Sequence, residues 1–345
     1  MNNTKTILSL LLTFALLPSF AMAQEIKSEF NPDAVASDDA SIDFRAFRFV
    51  YGATLTDIEP GKKVRVWIPM ATSNHEQDID FESTKLPAAF QETKETKFGN
   101  SVIYFEATAN EKGEVPMEVS YRVIRRELTK VNREPVGEPN AAWLEASSLV
   151  PNDEKLRKAV LDDAGTKGET IEIAQRLYTG VVKRMKYDKP ADQLGWGQGD
   201  AVWACEKCFG NCTDFHSLFI SAALNLEIPS KFEIGFPIPE EKGKGTVGGY
   251  HCWAKFQSDN NWIPIDISEA DKNPDLEEYY FGNLTQDRVT FSVGRDLELQ
   301  PAPAAGPVNY LAYPYAEVDG KPHGKFRKEF RYEDVDTSPS ESDDK

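Results

Sequence analysis

The four cysteines of the chain sit at positions 205, 208, 212 and 252, and none occurs among the first 204 residues. A fold stapled by disulfides spreads its bridges along the chain. This one must be held by apolar burial, and its cysteines point to local chemistry instead. The 345 residues suit about two domains. A 40% hydrophobic and 11% aromatic content supplies a sizeable core and excludes a wholly disordered or collagen-like chain. With 39 basic against 56 acidic residues, the net charge is −17. Nucleic acid and anionic membrane surfaces attract cationic faces, so neither is an expected partner.

The first residues read as an address. Lys5 precedes an apolar run from Ile7 to Leu17, then Pro18, then the small-x-small pattern Ala21-Met22-Ala23. The run is far shorter than the ~20 residues a spanning helix needs. A signal peptide at 1–23, cleaved after Ala23, is therefore expected, and with it export to the periplasm or the medium. No later apolar run is long enough to span a bilayer, so no membrane span is expected in the mature chain. Residues 24–40 are acidic and form a flexible lead-in.

Residues 41–145 carry a period-two pattern. Phe44, Ala46, Arg48 and Val50 alternate with Arg45, Phe47, Phe49 and Tyr51. Further strands are expected around Val64–Ile68, Ser101–Phe105 and Met117–Val123, which together suggest a β-sandwich. His75, isolated in a loop, reads as a surface residue. From Pro151 the pattern turns helical, with Ile171, Ala174, Tyr178, Val181 and Met185 at helical spacing. Strands resume at Lys231, so a second domain spans 150–331. The stretch 332–345 is acidic and Ser-rich, and a disordered tail is expected there.

The chemistry concentrates between Gly210 and Asp266. Phe215, Leu218, Phe219, Ala222, Ala223 and Leu226 trace one face of a helix that Asn211 caps and Pro229 ends. Cys212 then lies in the first turn, where free N–H groups and the positive helix end favour a thiolate and can bind an oxyanion. The bland alternative is a buried structural cysteine. A nucleophilic thiol needs a base, and the base an orienting group. His216 follows on the same helix. His251 lies on the strand Tyr250–Phe256, and Asp266 follows the turn Ser258–Asn261. A hairpin centred on Ser258 and Asp259 sets His251 directly opposite Asp266, on one face. His251 is therefore the expected base and Asp266 its partner, with His216 a helix residue near the pocket. Pro264 threatens that register.

These residues resemble the transglutaminase-like superfamily: Gly-x-Cys-x-Asp at a helix start, His-x-Trp on a strand, and Asp after a Trp-containing turn. The run Leu224 to Gly235 is similar to its helix-to-strand passage. The likeness covers roughly Glu169 to Asp266. It implies an α+β fold: a papain-like core, with the Cys-bearing helix packed on an antiparallel sheet, preceded by the β-sandwich-like N-terminal domain. It also implies Cys212, His251 and Asp266 as a catalytic triad. Members of the family include cross-linking enzymes, peptidases, amidases and inactive forms.

The expected function is cysteine-dependent acyl transfer on a peptide or protein substrate, with hydrolysis favoured over transamidation. No cofactor and no metal are expected. Two alternatives stand beside it. One is a catalytically silent binding module on the same fold. The other is a metal or redox module built on the 205–252 cysteines, since Cys205 and Cys208 form a Cys-x2-Cys pair and either is able to bridge to Cys252. Strand alternation points Cys252 away from the face of His251. Trp196 and Trp203 offer indole donors to an oxyanion, or else fill the core or a pocket wall.

Overall fold

The computed structural model describes residues 42–190 and 193–335. The leader, the lead-in and residues 336–345 of the expected tail lie outside the described residues.

The first six strands are β1 (Phe44–Leu55), β2 (Lys63–Pro69), β3 (Gln77–Lys85), β4 (Phe90–Lys94), β5 (Ser101–Thr108) and β6 (Val115–Arg126). They divide between two sheets. β1 pairs with β6 along its whole length and β6 with β3, while β2 pairs with β5 and β5 with β4. The alternation read from the sequence sets the packing: Phe47, Phe49, Tyr51, Ala53 and Leu55 of β1 point inward. They meet Val64, Val66 and Ile68 of β2 and Ile103 and Phe105 of β5 in one core between the sheets. β3 and β4 were not expected. They are sheet edges whose residues are mostly half-buried or exposed, so they lack an apolar alternation to announce them.

After the two-residue strand β7 (Glu134–Pro135), the second region supplies α1 (Glu154–Val160), α2 (Thr170–Arg184), β8 (Lys186–Tyr187), α3 (Ala201–Lys207), β9 (Phe209–Gly210) and α4 (Cys212–Asn225). α2 opens with a capping box between Glu169 and Glu172 and buries Ala174, Leu177, Tyr178 and Val181. β10 (Ser230–Pro237), β11 (Lys244–Thr246), β12 (His251–Ser258), β13 (Asn261–Ile265), α5 (Ile267–Lys272) and β14 (Arg288–Val293) follow. A third sheet runs in the order β14-β10-β12-β13-β7. Cys252, Ala254 and Phe256 of β12 join Phe215, Leu218, Phe219 and Ala222 of α4 in its core. All residues of α4 from Cys212 to Leu224 are buried, which makes it the central helix. The architecture is thus α+β, a β-rich region followed by a helix-and-sheet core.

The last strands are β15 (Tyr315–Val318), β16 (Lys321–Pro322), β17 (Phe326–Lys328) and β18 (Arg331–Asp334). The sequence assigns them to the second domain, but they pair with the first: β15 with β2, and β17 and β18 with β1. β18 also takes in Tyr332, where a disordered tail was expected to begin. Tyr332 is buried in the sandwich core, which repays its ordering. Phe236, Val289 and Phe291 of the third sheet enter the same core, and Phe49 lies 5.1 Å from Phe236 between ring centroids. The two regions share apolar packing and do not form separate beads. Among the described residues, no helix is long and apolar enough to cross a membrane.

Candidate active site

α4 begins at Cys212 because Asn211 is extended (φ −104, ψ −170) and its side chain accepts the Thr213 N–H at 2.9 Å. Asp214 completes the capping box by accepting the Asn211 N–H at 2.9 Å. Its carboxylate also accepts the N–H groups of Gly197 (2.9 Å) and Gly199 (3.0 Å), tying the glycine loop across the helix start. That tie explains Gly210: a Cβ there meets the Asp214 carboxylate at 2.5 Å. The sequence marked Asp214 only as a cap, and its hold on the loop was missed. Burial pushes the Asp214 carboxyl up to about 6, against its three backbone N–H bonds. Cys212 occupies the first turn and is 3% exposed.

His251 is the first residue of β12, and its Nε2 hydrogen-bonds Asp266 Oδ2 at 2.7 Å. The expected contact exists, but the expected register does not. Asp259 and Asn260 both have positive φ (49° and 62°), so the turn is centred on them and Ala254 pairs with Ile265. Moving the turn by one residue moves the pairing by two, which preserves the face. Asp266 thereby falls just beyond β13 and becomes the N-cap of α5. Pro264 is tolerated: opposite Lys255 it lies at a non-hydrogen-bonded position of the hairpin, and β7 reaches only Asn261 and Trp262 on the other side.

Asp266 is held from four directions. Oδ1 accepts the Glu269 N–H and the Ser268 hydroxyl, each at 3.2 Å. Oδ2 accepts from His251 and from Arg288 Nη1, the latter at 3.1 Å. Burial alone raises a carboxyl, yet the charges of His251 and Arg288 hold Asp266 well below its ordinary range. Burial likewise disfavours a charged imidazole, but Asp266 and Cys212 together push His251 up to about 10. Since Nε2 serves Asp266, Nδ1 is the nitrogen left to face Cys212. Burial raises the Cys212 thiol, but hydrogen bonds from Cys252 and His251 and the His251 charge carry it well below its ordinary value. Both shifts run toward a thiolate beside an imidazolium.

His216 is close but committed. Its Nε2 accepts the Ile267 N–H at 3.0 Å, so Nδ1 carries the proton and donates to the Cys212 carbonyl at 2.8 Å. Burial favours its neutral form. Cys252 departs from expectation. It does face α4, where its thiol comes within 3.6 Å of His216 Nδ1. Alternation holds along β12, which His251 opens. All four cysteines are free thiols, Cys205 buried in the helical core and Cys208 at the C-terminal cap of α3. Among the described residues, no group of three or more His, Cys, Asp or Glu is arranged to hold a metal ion. Trp196 Nε1 is spent on the Asp188 carbonyl at 2.7 Å, and Trp203 packs edge-on against Phe209. Both are walls. Arg288, on a strand 22 residues beyond Asp266, has no signal in the sequence.

Residues 158–267 match the core model of the transglutaminase-like superfamily. An uncharacterised protein of Haemophilus influenzae is 29% identical over 227 residues, which are 56% of this chain and 61% of that protein. The chain therefore spans less than two thirds of the length of this relative. The crystal structure described as a "Putative Cysteine Protease" from Cytophaga hutchinsonii superposes with a TM-score of 0.55 at 14% identity, over 87% of this chain and 94% of that one. Residues 158–267 are thus similar to the transglutaminase-like superfamily core, and the chain shares its fold with the Cytophaga hutchinsonii structure.

Proposed function

We propose that the protein is an exported, cysteine-dependent acyl-transfer enzyme that hydrolyses peptide or amide bonds, with Cys212 as nucleophile, His251 as base and acid, and Asp266 as its orienting partner. The observation that carries this reading is the 2.7 Å His251–Asp266 hydrogen bond beside a buried cysteine in the first turn of a capped helix. The thiolate attacks the carbonyl carbon, and the oxyanion faces the free N–H of Cys212 in the first turn. His251 gives its proton to the departing amine as the C–N bond breaks, leaving a thioester. His251 then takes a proton from water, which attacks the thioester and releases the acid and the thiol. An amine in place of water gives cross-linking by the same steps. Hydrolysis needs no added amine, and we take it as the reaction. The leader read at 1–23 supports export to the periplasm or the medium.

The test joins labelling and turnover. Iodoacetamide at pH 6, followed by mass mapping, is expected to modify Cys212 ahead of Cys205 and Cys252, whose thiols are pushed up chiefly by burial. Cys212→Ala is expected to abolish cleavage of a peptide-amide library. Preferential labelling of another cysteine, or cleavage by Cys212→Ala, overturns the assignment.

A further inference from the structure

Arg288 opens β14 and is 4% exposed. Its Nη1 donates to Asp266 Oδ2 at 3.1 Å and its Nη2 to Thr285 Oγ1 at 3.3 Å. The flat guanidinium lies over the Trp253 indole, 4.9 Å from the ring centroid. Trp253 is itself fixed: it is fully buried, its Nε1 donates to Glu233 at 2.6 Å, and Arg125 covers the ring from 5.9 Å. The tryptophan two residues after His251 thus has a defined task as the platform for a cation. That cation shares with His251 the same carboxylate oxygen.

We propose that Arg288 is a positioning residue of the acyl-transfer site, acting through Asp266 to fix the carboxylate and to keep a second positive charge beside the His251 ring. The inference rests on the triad reading given above. A buried carboxylate paired to His251 alone holds the imidazolium too tightly, and an acid held tightly is slow to protonate a leaving amine. A guanidinium on the same oxygen divides that attraction and repels the imidazolium. The groups facing His251 are few: Asp266 and Glu269 (3.8 Å) at α5, Cys212 and His216 on α4, and Cys252 beside it on β12. Tyr280 faces Asp266 and Arg288 from beyond α5. Lys272 of α5 binds the same Glu269 oxygen at 2.7 Å, and Tyr187 faces Cys212; Arg288 is the cation that shares the Asp266 oxygen with His251.

The chain has four histidines, so ring-labelled protein permits each to be titrated by NMR. The comparison is made in Cys212→Ala protein, where no thiolate raises His251. Adding Arg288→Met is expected to raise the His251 midpoint by about one pH unit, the scale of a neighbouring charge within ~4–6 Å. Arg288→Lys, which retains the charge, is expected to leave it near the parent value. A folded Arg288→Met protein with an unchanged or lower midpoint overturns the proposal. Should that variant fail to fold, Arg288→Gln, neutral but still a donor to Asp266, is read by the same criterion. The triad reading is tested separately. If Cys212→Ala itself leaves the His251 midpoint where it was, the thiol and imidazole are not paired, whatever Arg288 does.

Discussion

Strand β12 carries two buried ion clusters, and they differ in what a proton can do. At its start, His251 faces Asp266, Cys212 and, through the carboxylate, Arg288. Four residues on, Lys255 is fully buried with Glu76 and Glu134 each at 2.8 Å and Glu233 at 3.0 Å. Burial opposes the Lys255 charge, but three carboxylates hold it above its ordinary value. Glu76 is driven down to about 2 by Lys255 and Arg125 despite its burial. Glu233 is pushed up, first by burial and then by the neighbouring carboxylates, against the Lys255 charge. The cluster ties the β-rich region, through Glu76, to β7, through Glu134, and to the third sheet, through Glu233 and Lys255. The His251 cluster has the same density of charge, but it ends on a thiol at a helix N-terminus. Buried ions alone do not mark a reactive site; a removable proton beside a nucleophile does.

Three outcomes test that distinction. The largest effect is expected from Asp266→Asn. Turnover should fall about 10³–10⁴-fold, as in serine triads, while circular dichroism reports a retained fold, since asparagine still caps α5. A comparable loss of turnover in folded Lys255→Met protein would erase the contrast between the clusters.

Lys255→Met should act on stability instead. Removing one partner from a buried ionic group costs about 3–5 kcal/mol, read as a lower urea midpoint. Under native conditions Cys212 should still be alkylated at the parental rate. A rate falling in step with stability would make the two clusters one electrostatic unit.

The smallest effect lies in pH dependence. In the folded protein His251 keeps a proton until about 10, against an ordinary 6.5, so its contribution is present below 6.5 and lost as pH rises through 10. Cys212 is depressed, so its contribution is present above its ordinary 9.0 and lost as pH falls. Between about pH 6.5 and 8.5 the folded state gains one proton and lacks the other, and stability should be flat. Cys212→Ala removes the second term, so its stability should decline across that window by about 1–2 kcal/mol, bounded by 1.36 kcal/mol per pH unit. A sloping parent and a flat variant would mean that no ion pair forms.

The site was largely legible because its parts are local. Asn211 before Cys212, with Asp214 three residues on, announces a capped helix start from sequence spacing alone. His251 and Asp266 lie in one hairpin, so even a misplaced turn centre kept them on one face. What escaped is what lies far away in sequence. Arg288 comes from another strand, Gly197 and Gly199 are tied down by Asp214 across a loop, and Cys252 reaches His216 only because β12 packs on α4. Among the strands, β1, β2, β5 and β6 carry an inward apolar period, whereas β3 and β4 do not.

Local physics therefore determined the α+β class, the central helix and the candidate residues of the site. Periodicity and capping act over a few residues and are written into the chain. Tertiary structure decided that β15, β17 and β18 return to the first sheets, since strand pairing follows from closing a shared core and not from order along the chain. It also decided which buried charge meets which. Lys255 and His251 read alike as isolated polar residues on one strand. Only the partners that folding brings to each, three fixed carboxylates for one and a thiol with a shared aspartate for the other, make the first a tie and the second a site.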